Sequence, residues 1–188
     1  AAAARAGVAG VVQPSPTHAG GVRLTLHDVA RRRIALVREV ALPAPALGAD
    51  WRLAVHAASD EVERWATGVR GVAATRVLFV RDRRVWAVDS DGENARPLTD
   101  RGALSPAWQP GGRAFVYSTL SDRGAQQIAA RGYTAATNAA GPARVLTDRP
   151  VTNLTPSVSP DGQTVVFAHG VEDGSDLYTV PFGGGSVR

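Results

Sequence analysis

The sequence contains no cysteine and no lysine. Without cysteine, the chain can form no disulfide bond, thiol nucleophile or cysteine-based metal site. No apolar run approaches the roughly 20 residues that a membrane-spanning helix requires. The 21 basic residues are therefore all arginine, a bias typical of a GC-rich genome, and 17 acidic residues leave a net charge of only +4.

Arginine clusters occur at residues 31–33 and 81–84, each in a predicted hairpin turn. Nucleic-acid binding would favour arginines gathered on one face with aromatic residues between them, or a known binding module. The sequence shows neither pattern. We therefore do not expect a nucleic acid as a partner.

Motifs for catalysis are also missing. There is no Gly-x-Ser-x-Gly nucleophile motif and no Gly-x-x-x-x-Gly-Lys phosphate loop. The carboxylate of Asp161 is explained by the turn that contains it, and the glycines at 183–185 precede no helix. The histidines are scattered over different predicted elements: His18, His27, His56 and His169. We predict no catalytic residue, no metal site and no cofactor.

A repeat dominates the second half of the chain. Residues 105–117 and 155–167 share a hydroxyl residue followed by proline, a short apolar centre, Pro-x-Gly and an apolar run, at an offset of 50 residues. In Pro-Asp-Gly, proline fixes φ and glycine accepts positive φ, so the motif predicts a tight turn between antiparallel strands. Short strands that recur at this period are typical of β-propeller blades.

The repeat predicts about three blades, at residues 76–100, 104–148 and 154–188. The first lacks an innermost strand, and the third stops at Arg188, before an outer Leu-Thr strand. In the middle blade, residues 126–130 predict a weak third strand and residues 133–140 an inserted loop. Trp108 and its counterpart Val158 are predicted to pack between blades.

The first seventy residues have a different pattern. Residues 7–12, 22–28 and 34–42 read as strands, and a proline-rich linker follows at 43–48. A helix is predicted over 50–67, with Asp50 as its N-cap and Gly68 as its stop. We therefore predict an α+β domain at 1–70, followed at 71–188 by a mainly-β partial propeller of antiparallel four-stranded sheets.

The order of hairpin, helix, glycine-rich link and blades resembles the TolB family. Its matching motifs fall on Ala54, His56, Asp60 and Val62 of the helix and on Thr75, Arg76 and Val77 at the entry to the first blade. The resemblance implies a periplasmic protein of the Tol-Pal envelope system. It also implies an α/β N-terminal domain, of which this chain has the second half, and a six-bladed propeller.

About half of those blades, and the first elements of that N-terminal domain, are missing from this sequence. In such propellers, the C-terminal end of the chain commonly supplies the innermost strand of the first blade. Sheet edges left open expose unpaired backbone groups that tend to pair with another strand. We therefore expect that the chain is a piece of a longer one or that a partner covers its open sides.

A binding role follows from blade geometry. The loops between second and third strands and the links between blades emerge on one side of a propeller, where variable polar residues suit a protein interface. The alternative is that these are ordinary solvated loops. The candidate interface residues are Asp82, Arg83, Arg101, Leu120, Asp122, Arg123, Arg149, Asn153, His169, Glu172 and Asp173.

Three functions are compatible with this sequence. The first is a non-catalytic periplasmic scaffold that binds envelope or membrane-complex proteins and is at most peripheral to a membrane. The second is a structural accessory subunit of a large membrane-associated complex, for example a bioenergetic one, whose neighbours cover the open blade edges. The third is the propeller of a prolyl-peptidase-like enzyme.

Overall fold

A computed structural model describes residues 9–147 and 151–188 of the chain. They form two compact units. The first ends at Thr75 and also includes Asp89–Asp91, and the second contains Arg76–Val88 and Gly92–Arg188. Among the described residues, no helix combines the length and the apolar character needed to cross a bilayer.

The first unit contains an antiparallel three-stranded meander. Its strands, in spatial order, are β1 (Gly10–Pro16), β2 (Gly21–Asp28) and β3 (Arg33–Ala41). The prediction that the first strand covers 7–12 has the wrong C-terminal end, because the strand continues through Pro14 and Pro16. Proline is tolerated because β1 lies at an edge of the sheet, where a strand does not need every N–H for pairing.

The helix α1 spans Ala49–Thr67. Its N-cap is Gly48 rather than the predicted Asp50, which lies in the first turn, where a negative charge favours the helix dipole. Gly48 donates to the Pro45 carbonyl at 3.1 Å, and a Cβ on Gly48 would lie only 3.0 Å from that oxygen. The predicted stop is confirmed. Gly68 adopts φ 81° and its N–H bonds the Arg64 carbonyl.

The motif residues of α1 make specific contacts inside the first unit. Asp60 is buried, and its carboxylate accepts hydrogen bonds from the backbone N–H groups of Ala73 at 2.6 Å and Ala74 at 2.9 Å. His56 Nε2 lies 3.0 Å from a carboxylate oxygen of Asp91. The two hydrogen bonds that the Asp60 carboxylate accepts therefore fix the segment that follows the helix.

The second unit consists of three antiparallel sheets in which consecutive strands are neighbours. The first blade contains β4 (Arg76–Arg81), β5 (Arg84–Asp89) and β6 (Arg96–Pro97). The second contains β7 (Ala103–Trp108), β8 (Ala114–Leu120), β9 (Gln126–Thr134) and β10 (Ala139–Val145). The third contains β11 (Asn153–Val158), β12 (Thr164–Val171) and β13 (Gly174–Pro181).

The prediction of an inserted loop at 133–140 is wrong. Strand β9 continues to Thr134, and a single 3₁₀ turn at Ala135–Thr137 leads into β10. Four of the eight residues at 133–140 are alanine and none is glycine, so the side chains give little strand signal. Pairing of β9 with β10, in which Tyr133 and Thr134 lie opposite Ala140 and Ala139, overrides that weak propensity.

Beyond β13, Arg188 lies beside Thr179 of that strand. Arg188 and Thr179 exchange backbone hydrogen bonds of 2.8 and 2.9 Å. Arg144 pairs with Ala130 and Arg96 with Ala87 in the same register. Arg188 therefore lies at the position of those two arginines, and among the described residues the strands of the third sheet are β11, β12 and β13.

Two apolar clusters lie between successive blades. Phe115 and Tyr117 of β8 face the cluster shared with β5, whereas Val116 faces the cluster shared with β12. The predicted core position of Trp108 is confirmed. Its ring packs against Phe115 and, at a centroid distance of 4.9 Å, Tyr133, and its Nε1 donates to the Arg76 carbonyl at 3.1 Å.

Candidate protein-interaction surface

The turns between second and third strands lie at one end of each blade. Strand β8 is antiparallel to both neighbours, so the β8–β9 turn and the β7–β8 turn lie at its opposite ends. We call the β4–β5, β8–β9 and β12–β13 turns, together with the link residues 101–102 and 151–152, the loop surface. Among the described residues it contains the exposed members of the predicted interface set except Leu120, which ends β8 beside the β8–β9 turn.

Backbone hydrogen bonds connect the links to these turns and to the adjoining strand ends. Ala103 donates to the carbonyl of Arg83 at 2.9 Å, and Leu120 donates to that of Gly102 at 3.1 Å. The first link therefore contacts both blades that it joins. In the next link, Thr152 accepts a hydrogen bond of 2.8 Å from Gly170.

The β4–β5 turn exposes Asp82 and Arg83. Both have positive φ, 53° and 57°, as a two-residue type I′ hairpin turn requires. Next to the turn, the Arg81 guanidinium lies 3.9 Å from the centroid of the Trp86 ring. The adjoining link exposes a further arginine, Arg101.

The β8–β9 turn exposes Asp122 and Arg123 beside a shallow groove. Leu120, Gln127 and Val145 contribute to the lining of this groove. Leu120 was predicted as an interface residue, but Gln127 and Val145 were not. They belong to strands β9 and β10, and their side-by-side position depends on sheet register, which the sequence did not reveal.

The β12–β13 turn carries acidic charge alone. Glu172 and Asp173 are exposed there, and Asp176 follows on β13. The corresponding turns of the other two blades each combine one aspartate with one arginine. The loop surface therefore presents mixed charge on two blades and negative charge on the third.

Two predicted interface residues are not exposed. Asn153 and His169 are 0% and 6% exposed, so the prediction that they lie on the surface is wrong. The amide nitrogen of Asn153 donates to the carbonyls of Gln126 and Val151, which leaves Oδ1 to accept from His169 Nδ1 at 2.6 Å. These residues hold the link against β12. Arg149, also predicted, lies outside the described residues.

Asp161 lies in the β11–β12 turn, at the opposite end of β12. Its carboxylate accepts hydrogen bonds from the Ser159 hydroxyl at 2.5 Å and the Gln163 N–H at 3.0 Å. The Ser159 hydrogen bond, followed by that of Gln163, lowers the pKa of Asp161 below its usual value. The predicted role in the turn is confirmed.

Over 9–147 and 151–188, no group of three or more histidine, aspartate or glutamate side chains is arranged to hold a metal ion. What the loop surface offers is charged side chains and hydrogen-bonding groups on turns that the sheets hold in place. Such an arrangement can recognise a polar protein surface.

Comparison with known proteins identifies relatives. No family model matches the chain. It is 32% identical over 122 residues to the Tol-Pal system protein TolB of Polaromonas naphthalenivorans, and 31% identical over 129 residues to that of Thioalkalivibrio sulfidiphilus. These alignments cover 62% and 63% of this chain. The chain is similar to TolB.

A solved structure agrees with the sequence comparison. The crystal structure of TolB from Acinetobacter baumannii matches 98% of this chain with a TM-score of 0.71 at 24% identity. The fold is therefore TolB-like, an α+β unit followed by propeller blades. The chain spans 28% and 29% of the two curated relatives and 47% of that solved chain.

Proposed function

We propose that this chain is part of a TolB-like periplasmic propeller protein that binds other proteins and catalyses no reaction. The loop surface is the observation that carries the proposal. Its turns are connected to the links between blades by backbone hydrogen bonds and expose charged residues of both signs. A surface of this kind suits selective recognition of a polar partner.

The similarity to TolB suggests the class of partner. The curated relatives are named as proteins of the Tol-Pal system, which supports an envelope protein of the same system as the partner of this chain. Arg83, Arg101 and Arg123 of the first two blades would face acidic groups of that partner. The acidic turn at Glu172 and Asp173 would face a basic region.

Isothermal titration calorimetry tests this proposal. The purified chain is titrated with the soluble domains of the Tol-Pal proteins from its source organism. The double variant Arg101→Glu and Arg123→Glu should weaken binding by about tenfold or more, since reversing interface charges replaces attraction with repulsion. Arg113→Glu, in the β7–β8 turn at the other end of β8, is the matched control and should bind like the wild type.

Two results would contradict the proposal. One is the absence of binding to every Tol-Pal protein tested. The other is an equal loss of affinity in the double variant and in Arg113→Glu, because binding would then depend on overall charge rather than on the loop surface.

A second candidate function is a structural subunit of a larger membrane-associated assembly, and Leu177 favours it. Ser118 pairs with Ile128, and Ala168, fifty residues later in the repeat, pairs with Leu177. Ile128 and Leu177 are therefore equivalent positions in successive blades. Ile128 is 0% exposed, whereas Leu177 is 78% exposed. A neighbour packed on this face of the third blade would bury the leucine.

Native mass spectrometry of the protein purified from its own membranes tests the second candidate. A neighbouring subunit should remain bound to the wild type and dissociate from Leu177→Arg. A complex that survives this substitution would contradict it.

A further inference from the structure

Strand β3 is an open sheet edge in the first unit. The sheet order β1-β2-β3 leaves its second edge unpaired among the described residues. Eight of its nine residues are exposed, and Ile34 and Val37 are 58% and 55% exposed. A long apolar edge strand offers free N–H and C=O groups to a further strand.

A groove lies along the C-terminal half of this edge, between β3 and α1. Residues 38–41 all contribute to its lining. The side chains of successive strand residues point to opposite faces of the sheet. Because four consecutive residues line the groove, it follows the backbone edge of β3 rather than one face of the sheet. The helix side is formed partly by Ala57 and Ala58, whose short side chains leave space for another backbone.

The charge of the groove is positive. Glu61 accepts hydrogen bonds from Arg38 at 3.1 Å and Arg64 at 2.5 Å, and Glu39 accepts one from Arg23 at 2.6 Å, so both lining carboxylates are already paired. Arg70 also lines the groove and is exposed, and among the described residues it forms no ion pair. Its guanidinium has five N–H donors for an incoming carboxylate.

We propose that the β3 edge binds an extended acidic segment of another protein, which adds to the sheet as a fourth strand. Backbone pairing would supply affinity, and alternate side chains would supply specificity. Val37 and Ile34 pair with Thr25 and His27 and share one face of the sheet, whereas Arg38 lies on the other. The partner strand therefore alternates acidic residues, beside the groove arginines, with apolar residues beside Ile34 and Val37.

A labelled peptide tests this inference. An eight-residue peptide of alternating aspartate and valine is titrated with the 188-residue chain and followed by fluorescence anisotropy. Two further peptides carry N-methyl groups on all valines or on all aspartates. Since an added strand uses the amides of one edge only, one of these peptides should lose binding while the other retains it.

Charge reversal provides the second readout. Arg70→Glu should weaken binding of the unmethylated peptide by about tenfold, because it places a negative charge beside the peptide carboxylates. Arg113→Glu changes the net charge equally at an exposed turn outside the first unit, and it should leave the affinity within about twofold. Circular dichroism checks that both variants are folded.

Three outcomes would overturn the inference. The first is that the unmethylated peptide does not bind. The second is that both methylated peptides bind as well as the parent, or that Arg113→Glu weakens binding as much as Arg70→Glu, since either result means charge attraction without strand addition. The third is that the peptide does not bind while the chain associates with itself and Arg70→Glu abolishes that self-association. This result would assign the edge to a second copy of the chain.

Discussion

The hydroxyl oxygen of Thr147 accepts a hydrogen bond of 2.9 Å from the backbone N–H of Ile128. In the preceding blade, Thr99 accepts one of the same length from Val85. Both threonines follow a buried leucine, Leu98 or Leu146, in the Leu-Thr repeat. The threonine hydroxyl therefore extends the pairing along the outer edge of the third strand, just beyond the end of the outer strand.

Replacing Thr147 with valine tests this role. The Thr147→Val substitution keeps the shape of the side chain but leaves the buried N–H of Ile128 without an acceptor. We expect the free energy of unfolding to fall by about 1–3 kcal/mol, measured by urea denaturation. Thr134→Val, at an exposed position on β9, is the control and should stay within about 0.5 kcal/mol of the wild type. Equal stabilities for the two variants would contradict this role.

Equivalent residues in successive blades allow a second test. Ile128→Ala should lower the free energy of unfolding by about 2–5 kcal/mol, because the isoleucine is fully buried between the second and third blades. Leu177→Ala should cost less than about 0.5 kcal/mol, since that leucine is largely exposed. Thermal and urea denaturation of both variants measure the difference. A large cost for Leu177→Ala would mean that its face is covered in the isolated chain.

Much of this fold could be predicted from the repeat and from helix periodicity. The Pro-x-Gly turns, the interblade position of Trp108 and the helix stop at Gly68 depend on local chemistry that the sequence shows directly. The strand hidden in the alanine-rich segment after Tyr133 could not be predicted, because its pairing with β9 creates it. Prediction of the helix start failed for a similar reason, since the contact of Gly48 with Pro45 is a feature of the folded loop.

The candidate site was less predictable than the fold. Asp82 and Arg83 were correctly expected in an exposed turn. Asn153 and His169 were expected on the surface because they fall in a predicted link between blades and in a predicted loop between strands. Their burial depends on a hydrogen bond between residues sixteen apart in sequence, which no pattern in a single chain reveals.

Asp60 provides a third prediction. Asp60→Ala removes the carboxylate that accepts hydrogen bonds from Ala73 and Ala74. We expect a loss of at least about 2 kcal/mol in the free energy of unfolding, and faster hydrogen exchange at those two amides. Asp122→Ala, at an exposed turn, should change neither quantity. Unchanged exchange at Ala73 and Ala74 in Asp60→Ala would show that the carboxylate does not hold this segment.

The pH dependence of stability tests Glu61. The hydrogen bond from Arg64 lowers the pKa of Glu61 from 4.5 to about 2, with further help from Trp65. Between these two values the unfolded chain binds more protons than the folded one. The stabilisation is therefore fully present above pH 4.5 and is lost as the pH falls through about 2.

Glu61→Gln should remove that contribution. Its unfolding midpoint in urea, measured at steps from pH 5 to pH 2, should fall less steeply than that of the wild type, and the two curves should converge near the acidic end. Parallel curves over the whole range would contradict the assigned role of Arg64.

The central claim is that the loop surface binds a protein partner, and hydrogen–deuterium exchange tests it most directly. Exchange is measured for the chain alone and with a saturating Tol-Pal protein from its source organism. The account predicts slower exchange at residues 81–84, 101–104, 121–126 and 172–175, and unchanged exchange at 109–113 and 159–163. Protection confined to the latter two turns, or no protection at any of these segments, would contradict it.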